Sequence, residues 1–255
     1  MEQYKIVEVV SEKIIADRIC DAIYLKGEIA RQEHDEYSDI DLFVLVSEKD
    51  YDFFLDKRIE YLQAYHAILY YNFVFHIHPE VICVYDNGYR INLYAVKDRS
   101  FTQYGEIIVI YDPKKILAEY KKIPYAFSPQ EIGELLNLFS LLANDYHVAC
   151  KRHDVISCLR LANYLFEEFG SLFRLRFDAE NAKLGLKHLL KKSDWESRKI
   201  IKEIMALLNQ EHHLEAVKMM FIALDGLIAN FPLKIVEYVN FDFYNFSKKL
   251  IMSIN

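Results

Sequence analysis

Two aspartates one residue apart, Asp39 and Asp41, open the apolar run "DIDLFVLV". In a strand, residues i and i+2 project from the same face, so these carboxylates point the same way, about 7 Å apart along the chain. Like charges this close raise each other's pKa unless a cation is shared. Oxygen-only donors of this kind suit Mg²⁺, which takes one or two carboxylates and completes its shell with phosphate and water. Alone, the pattern equally describes a solvent-facing edge pair. Its surroundings favour the metal. Gly27, between Lys26 and Glu28 and twelve residues before Asp39, follows the strand-like run Ala22–Leu25. A glycine there lets the chain turn and present N–H groups to phosphate.

The elements that must position these groups follow from periodicity. Residues 3–17 predict a helix with Ile6, Val9, Val10 and Ile14 on one side. Strands are expected at Ala22–Leu25, Ile40–Val46, Ala67–Phe75, Val81–Tyr85, Tyr89–Val96 and Ile107–Tyr111. "YDNGY" (85–89) is a hairpin signal between two of them. "SEKDYDFFLDKRIEYLQAY" reads as a helix opened by Ser47 and Asp50 as a weaker capping box. The second half changes character. Ser128, Pro129 and Glu131 form a full capping box before a broad apolar stripe, and "SDWES" repeats the box with Ser193 and Glu196. Helices are expected over 153–170, 178–191, 194–208, 211–230 and 241–254. The reading is α+β: a mixed-sheet domain over 1–122, then an all-α helical bundle over 127–255, divided near "KKIPYAFSP" where two prolines interrupt the pattern.

The strand–Gly–loop–"YSDIDLFV" arrangement resembles the signature of polymerase-β-type nucleotidyltransferases, whose usual pattern is Gly-Ser, a loop, then Asp-x-Asp or Asp-x-Glu. Lincosamide nucleotidyltransferases are the nearer likeness and aminoglycoside adenylyltransferases the more distant one. The resemblance extends in outline to "YDNGYRINLYAV", "IIVIYDP" and the helical second half, although only residues 24–46 are specific. It implies transfer of a nucleoside monophosphate from a nucleoside triphosphate to a hydroxyl of a small, antibiotic-like molecule, with release of pyrophosphate. It implies Mg²⁺ on Asp39 and Asp41, and Gly27 beneath the triphosphate, with Glu28, Arg31 and Ser38 as further candidate nucleotide contacts. The acceptor would bind between the sheet domain and the helical bundle.

Three positions depart from that pattern. Glu28 stands where the family has serine, and a carboxylate repels phosphate. Gln32 replaces a second loop glycine. Asn92, in "RINLYAV", matches the family's third acid, which binds metal and helps deprotonate the attacking hydroxyl. Asparagine offers a carbonyl ligand but no charge, and it is no base. Asp86 and Asp98 flank that strand without replacing the lost acid. Two function classes therefore stay open: a competent nucleotidyltransferase, or a nucleotidyltransferase-fold binding or interaction protein, an antitoxin-like role included. Asp145, with His147 nearby on the first bundle helix, is a speculative substitute base, and a solvated helix face is the plainer reading. His76 and His78, with His66, are a weak metal candidate beside ordinary half-buried histidines.

Bulk properties bound the partners. The chain has 255 residues, formal charge −7 and 53% apolar residues. Its sequence pI of about 5.7 argues against broad contact with a nucleic-acid backbone. Four cysteines without metal spacing read as reduced thiols, as in cytoplasmic proteins. The charged N-terminal stretch reads as neither signal peptide nor membrane span. The 19 tyrosines and 17 phenylalanines are mostly core, with some available to line an apolar pocket or a homodimer interface.

Overall fold

Ile6, Val7, Val10 and Ile14 recur at helical spacing and are buried to within 3% of their surface, which fixes helix α1 (Glu2–Ala16) against a sheet. Each such side chain contributes roughly 1.5–3 kcal/mol of transfer free energy. A computed structural model of the chain describes residues 1–97 and 102–254, so Asp98 lies outside the described residues. The chain divides into two compact units, Met1–Ile123 and Pro124–Asn255.

The first unit holds β1 (Cys20–Leu25), a single turn α2 (Gly27–Ala30), β2 (Ile40–Val46), α3 (Tyr51–Leu62), β3 (Ile68–Phe75), β4 (Pro79–Tyr85), β5 (Arg90–Val96), β6 (Thr102–Tyr104), β7 (Ile108–Tyr111) and β8 (Lys121–Ile123). Six strands form one mixed sheet in the order β3-β4-β5-β2-β1-β7. The central pair β2–β5 is parallel and its other neighbours are antiparallel. One face packs on α1 and α3 through Ile23, Val44, Phe54, Val81 and Leu93. On the other face Tyr24, Phe43 and Leu45 are buried with Leu117, and Tyr94 packs against them. Rings of Tyr24, Phe43 and Tyr94 stack across three strands at 5.3 and 4.1 Å. That aromatic row forms the floor beside the two aspartates.

The second unit holds α4 (Pro129–Lys151), α5 (Val155–Arg174), α6 (Leu189–Lys192), α7 (Trp195–Leu207), α8 (His213–Ile228), α9 (Leu233–Val236) and α10 (Phe241–Met252). They share a core that includes Phe139, Tyr146, Phe169, Phe173, Phe221 and Tyr244. No helix among the described residues is long and apolar enough to cross a membrane.

Several sequence expectations need correction. α7 is capped by Asp194, not Ser193: Asp194 Oδ1 accepts the Ser197 N–H at 2.8 Å, while the Ser193 hydroxyl donates to Leu190 O. Ser47 makes no backbone cap, because its hydroxyl donates to the Asp50 carboxylate at 2.8 Å. The helix expected over 178–191 breaks into a 3-10 turn and α6, since Gly185 and His188 take positive φ. Buried Arg174 holds that break by donating to the carbonyls of Gly185 and Lys187 at 3.1 and 2.7 Å. Short strands β6 and β8 pair in parallel where no strand was expected. Residues 76–78 form a bend beyond β3, so His76 and His78 do not share a strand face. His66 pairs with Asp86.

The Ser128–Glu131 box is formed: Ser128 Oγ accepts the Glu131 N–H at 3.2 Å, and Glu131 Oε2 accepts the Ser128 N–H at 2.7 Å. Hydrogen bonds from Lys183 and then from Ser128 hold the Glu131 carboxyl down at about 2. A lowered carboxyl pKa stabilises the fold above its unfolded value near 4.5 and loses that stabilisation as pH falls toward 2. Glu131→Gln should therefore cost about 1 kcal/mol at neutral pH. In urea melts at a series of pH values, its gap to the natural chain should close between pH 4.5 and about 2.

Candidate functional site

The parallel register of β2 and β5 places Asp41 directly beside Asn92. Asn92 is only 4% exposed, so its amide must find partners within the protein. Asn92 Nδ2 donates to Asp41 Oδ1 at 2.9 Å and to Asp39 Oδ2 at 3.3 Å. On its other side, Asn92 Oδ1 accepts from Arg90 Nε at 3.1 Å, and the same Nε lies 3.6 Å from Asp39 Oδ2. Asp39, Asp41 and Asn92 thus meet on one sheet face, and Arg90 joins them.

On the far side of Asp41, β1 is followed by Lys26, whose backbone N–H donates to Asp41 O at 3.0 Å. Its ammonium donates to Gln103 Oε1 at 3.1 Å and lies 5.2 Å from the Phe43 ring centre. Burial pulls the Lys26 ammonium down to about 8, with Asp41 opposing the shift. Beneath the row, Tyr94 is pushed up, first by burial and then by Asp41 and Glu80. The cationic partners of the aspartates are therefore the protein's own Arg90 and Lys26, with the Asn92 amide between the two carboxylates.

Gly27 has φ +68°, and a Cβ built on it would fall 2.1 Å from Asp41 Oδ2. Both backbone and space demand glycine here. The remaining loop residues are drawn to one another. The Ser38 hydroxyl donates to Glu28 Oε2 at 2.5 Å, and Arg31 Nε donates to Glu33 Oε2 at 2.9 Å. The Arg31 side chain is 9% exposed, and its buried Nη2 has no hydrogen-bond partner among the described residues. Gln32 takes φ +57°, a conformation the glycine of the family pattern would adopt without strain. A cavity of about 310 Å³ adjoins Ser38 and Arg90 and is also lined by Tyr37, Asn87 and Tyr89. A larger one of about 690 Å³ in the second unit, lined by Phe127, Ile132, Leu175, Phe231 and Lys234, contains none of the candidate residues. Asp145 is exposed on α4 in that second unit.

Mg²⁺ takes oxygen ligands, and as oriented Asn92 presents nitrogen. Turning the amide over would set its NH₂ against the Arg90 guanidinium, donor to donor, so Arg90 fixes that orientation. Among the described residues no group of three or more His, Cys, Asp or Glu could hold a metal. Two carboxylates remain, enough for an ion that arrives with phosphate but not for a resident three-acid centre. Sequence reasoning missed Arg90, although its i, i+2 relation to Asn92 on one strand was the available signal. It also missed Gln103, for which no local pattern exists.

No protein-family model and no curated protein matches the chain. Among solved structures, the chain is similar to an aminoglycoside 6-adenyltransferase from Bacillus subtilis, at 9% identity and TM-score 0.37, over 97% of this chain and 98% of that one. It is also similar to a nucleotidyltransferase-like protein from Exiguobacterium sibiricum 255-15, at 13% identity and TM-score 0.42, over 92% of this chain and 77% of that one. Likenesses of this size carry no functional argument.

Asn92→Asp keeps the side-chain shape but exchanges two donated hydrogen bonds for a third negative charge. It should lower stability by at least about 2 kcal/mol in metal-free buffer. Millimolar Mg²⁺ should recover much of that loss in the variant while leaving the natural chain's melting temperature unmoved. Differential scanning calorimetry with and without the ion reads both outcomes.

Proposed function

We propose that this chain is a nucleotidyltransferase-type protein that holds a magnesium–nucleoside triphosphate on Asp39 and Asp41. It passes the nucleoside monophosphate to a hydroxyl of a small, antibiotic-like acceptor, at a rate held low by Asn92 and Glu28. The observation that carries this reading is the convergence of Asp39 and Asp41 beside a glycine held at φ +68° with the Asp41 carboxylate against it. Gly27 lets the Asp41 carboxylate lie directly against the loop backbone, and Arg31, four residues on, carries a buried Nη2 without a hydrogen-bond partner among the described residues, a donor that an entering anion could satisfy. In the reaction the acceptor oxygen bonds to the α-phosphorus, the α–β bridge breaks, and pyrophosphate leaves as the hydroxyl proton passes to water. The ion, when bound, would neutralise charge developing on the transferred phosphoryl group. No carboxylate at position 92 takes the proton, and Glu28 adds repulsion near the phosphates unless Ser38 keeps its carboxylate turned aside.

A second reading is favoured by one specific observation. The Arg90–Asn92 arrangement already satisfies both aspartates, as a scaffold retained for binding or protein contacts would require. Calorimetric titration with each nucleoside triphosphate separates the first reading from other sites. Mg²⁺-dependent binding should disappear in Asp39→Asn and in Asp41→Asn. Binding that persists unchanged in both places the ligand elsewhere.

The double variant Asn92→Asp, Glu28→Ser separates the two readings. With a panel of lincosamide and aminoglycoside acceptors it should release pyrophosphate at least tenfold faster than the natural chain, equivalent to about 1.4 kcal/mol of barrier. A natural chain that turns over briskly and is slowed by Asn92→Asp would make Asn92 part of a working site.

A further inference from the structure

Strand β3 is an outer strand of the six-stranded sheet and, among the described residues, pairs only with β4. One edge of its backbone therefore carries N–H and C=O groups with no strand beside them among the described residues. Proteins normally blunt such an edge with lysine, proline or a covering element. "ILYYNFVF" has no charge, no proline and no glycine over Ile68–Phe75, and its one irregularity lies at the Ile68–Tyr70 end. Leu69, Tyr70, Tyr71, Phe73, Phe75 and Ile77 are 47% to 85% exposed.

We propose that β3 pairs antiparallel with β3 of a second copy of this chain, joining two sheets into one continuous sheet about a two-fold axis. The sequence specifies the register. A two-fold axis perpendicular to the sheet keeps each face on its own side, so a residue can oppose only residues an even number of positions away, and the axis passes midway between the two copies of one residue. With Asn72 on the axis, Tyr71 of each copy opposes Phe73 of the other, and Tyr70 opposes Val74. The first pair joins aromatic rings on the face where Tyr71 and Phe73 already meet edge to face at 5.6 Å. The two Asn72 amides face one another on the opposite side, where each can donate to and accept from the other. Arg58 lies 4.9 Å from the Phe73 ring centre, leaving the ring held in place and its outer side open. At ~150–250 Å² for a full aromatic side chain, the rings of Tyr70, Tyr71, Phe73 and Phe75 alone present roughly 450 Å². That is more than half of the ~800 Å² each partner contributes to a standard interface, before the paired backbone edge is counted. A partner of the same sequence supplies the uncharged ladder and the aromatic match together.

The test uses the full chain in sedimentation velocity from ~0.1 to ~50 μM, because mass action makes a dimer concentration-dependent. The natural chain should sediment as a dimer at the upper end. Phe73→Lys, charged twice at one two-fold interface, should raise the dissociation constant at least ~100-fold. Trp195→Lys, exposed in the second unit, should leave it unchanged. Circular dichroism checks that Phe73→Lys is folded. Independently, Asn72→Cys should form a covalent dimer under mild oxidation while the natural chain does not. A monomer at the highest concentration overturns the proposal, even if the chain captures an unrelated extended peptide. So does a dimer indifferent to a folded Phe73→Lys, or an Asn72→Cys chain that does not cross-link.

Discussion

Two half-buried carboxylates at the start of the central strand β2 must be compensated, and here the compensation is internal. Asn92 gives its NH₂ to both aspartates, Arg90 holds the amide's oxygen, and Lys26 stands on the other flank. Each contact depends on the parallel registry of β2 with β5, because that registry alone sets residue 92 beside residue 41. The rest of the first unit serves this alignment. Helices α1 and α3 bury one sheet face, and the Tyr24–Phe43–Tyr94 stack braces the other. A shift of one residue between the two strands would put Asn92 and the aspartates on opposite faces and leave both carboxylates without their donor.

Desolvation decides how these charges behave. Lys26 loses more from burial than Asp41 returns, so its ammonium is easier to deprotonate than a surface lysine. Asn92 avoids that conflict because an amide supplies hydrogen bonds without a charge to desolvate. A third acid in its place would need a cation to be tolerated. The amide therefore compensates both carboxylates in the fold before any ion or ligand enters.

Much of the first unit was legible from the sequence because its strands are short apolar runs bounded by turn residues, and Ile40–Val46 was read to the residue. The same-face projection of Asp39 and Asp41 followed from strand geometry alone. What escaped was long-range. Gln103 reaches Lys26 from 77 positions away, and nothing in either residue's neighbourhood announces it. Strands β6 and β8 are three residues each, too short for an alternating pattern to register. The false helix over 178–191 had the right local composition. There a tertiary contact, the buried Arg174 guanidinium binding two carbonyls, overrode propensity.

The parallel β2–β5 pair has a kinetic side. Asp41 and Asn92 are 51 positions apart, with a helix and the β3–β4 hairpin formed by the chain between them. Local helices and hairpins gain contacts early, whereas a parallel pair must first close a long loop. The aspartates therefore meet their amide only when the central sheet closes. Until then they repel each other without compensation, and a partly folded chain carries the ingredients of the site without the site itself.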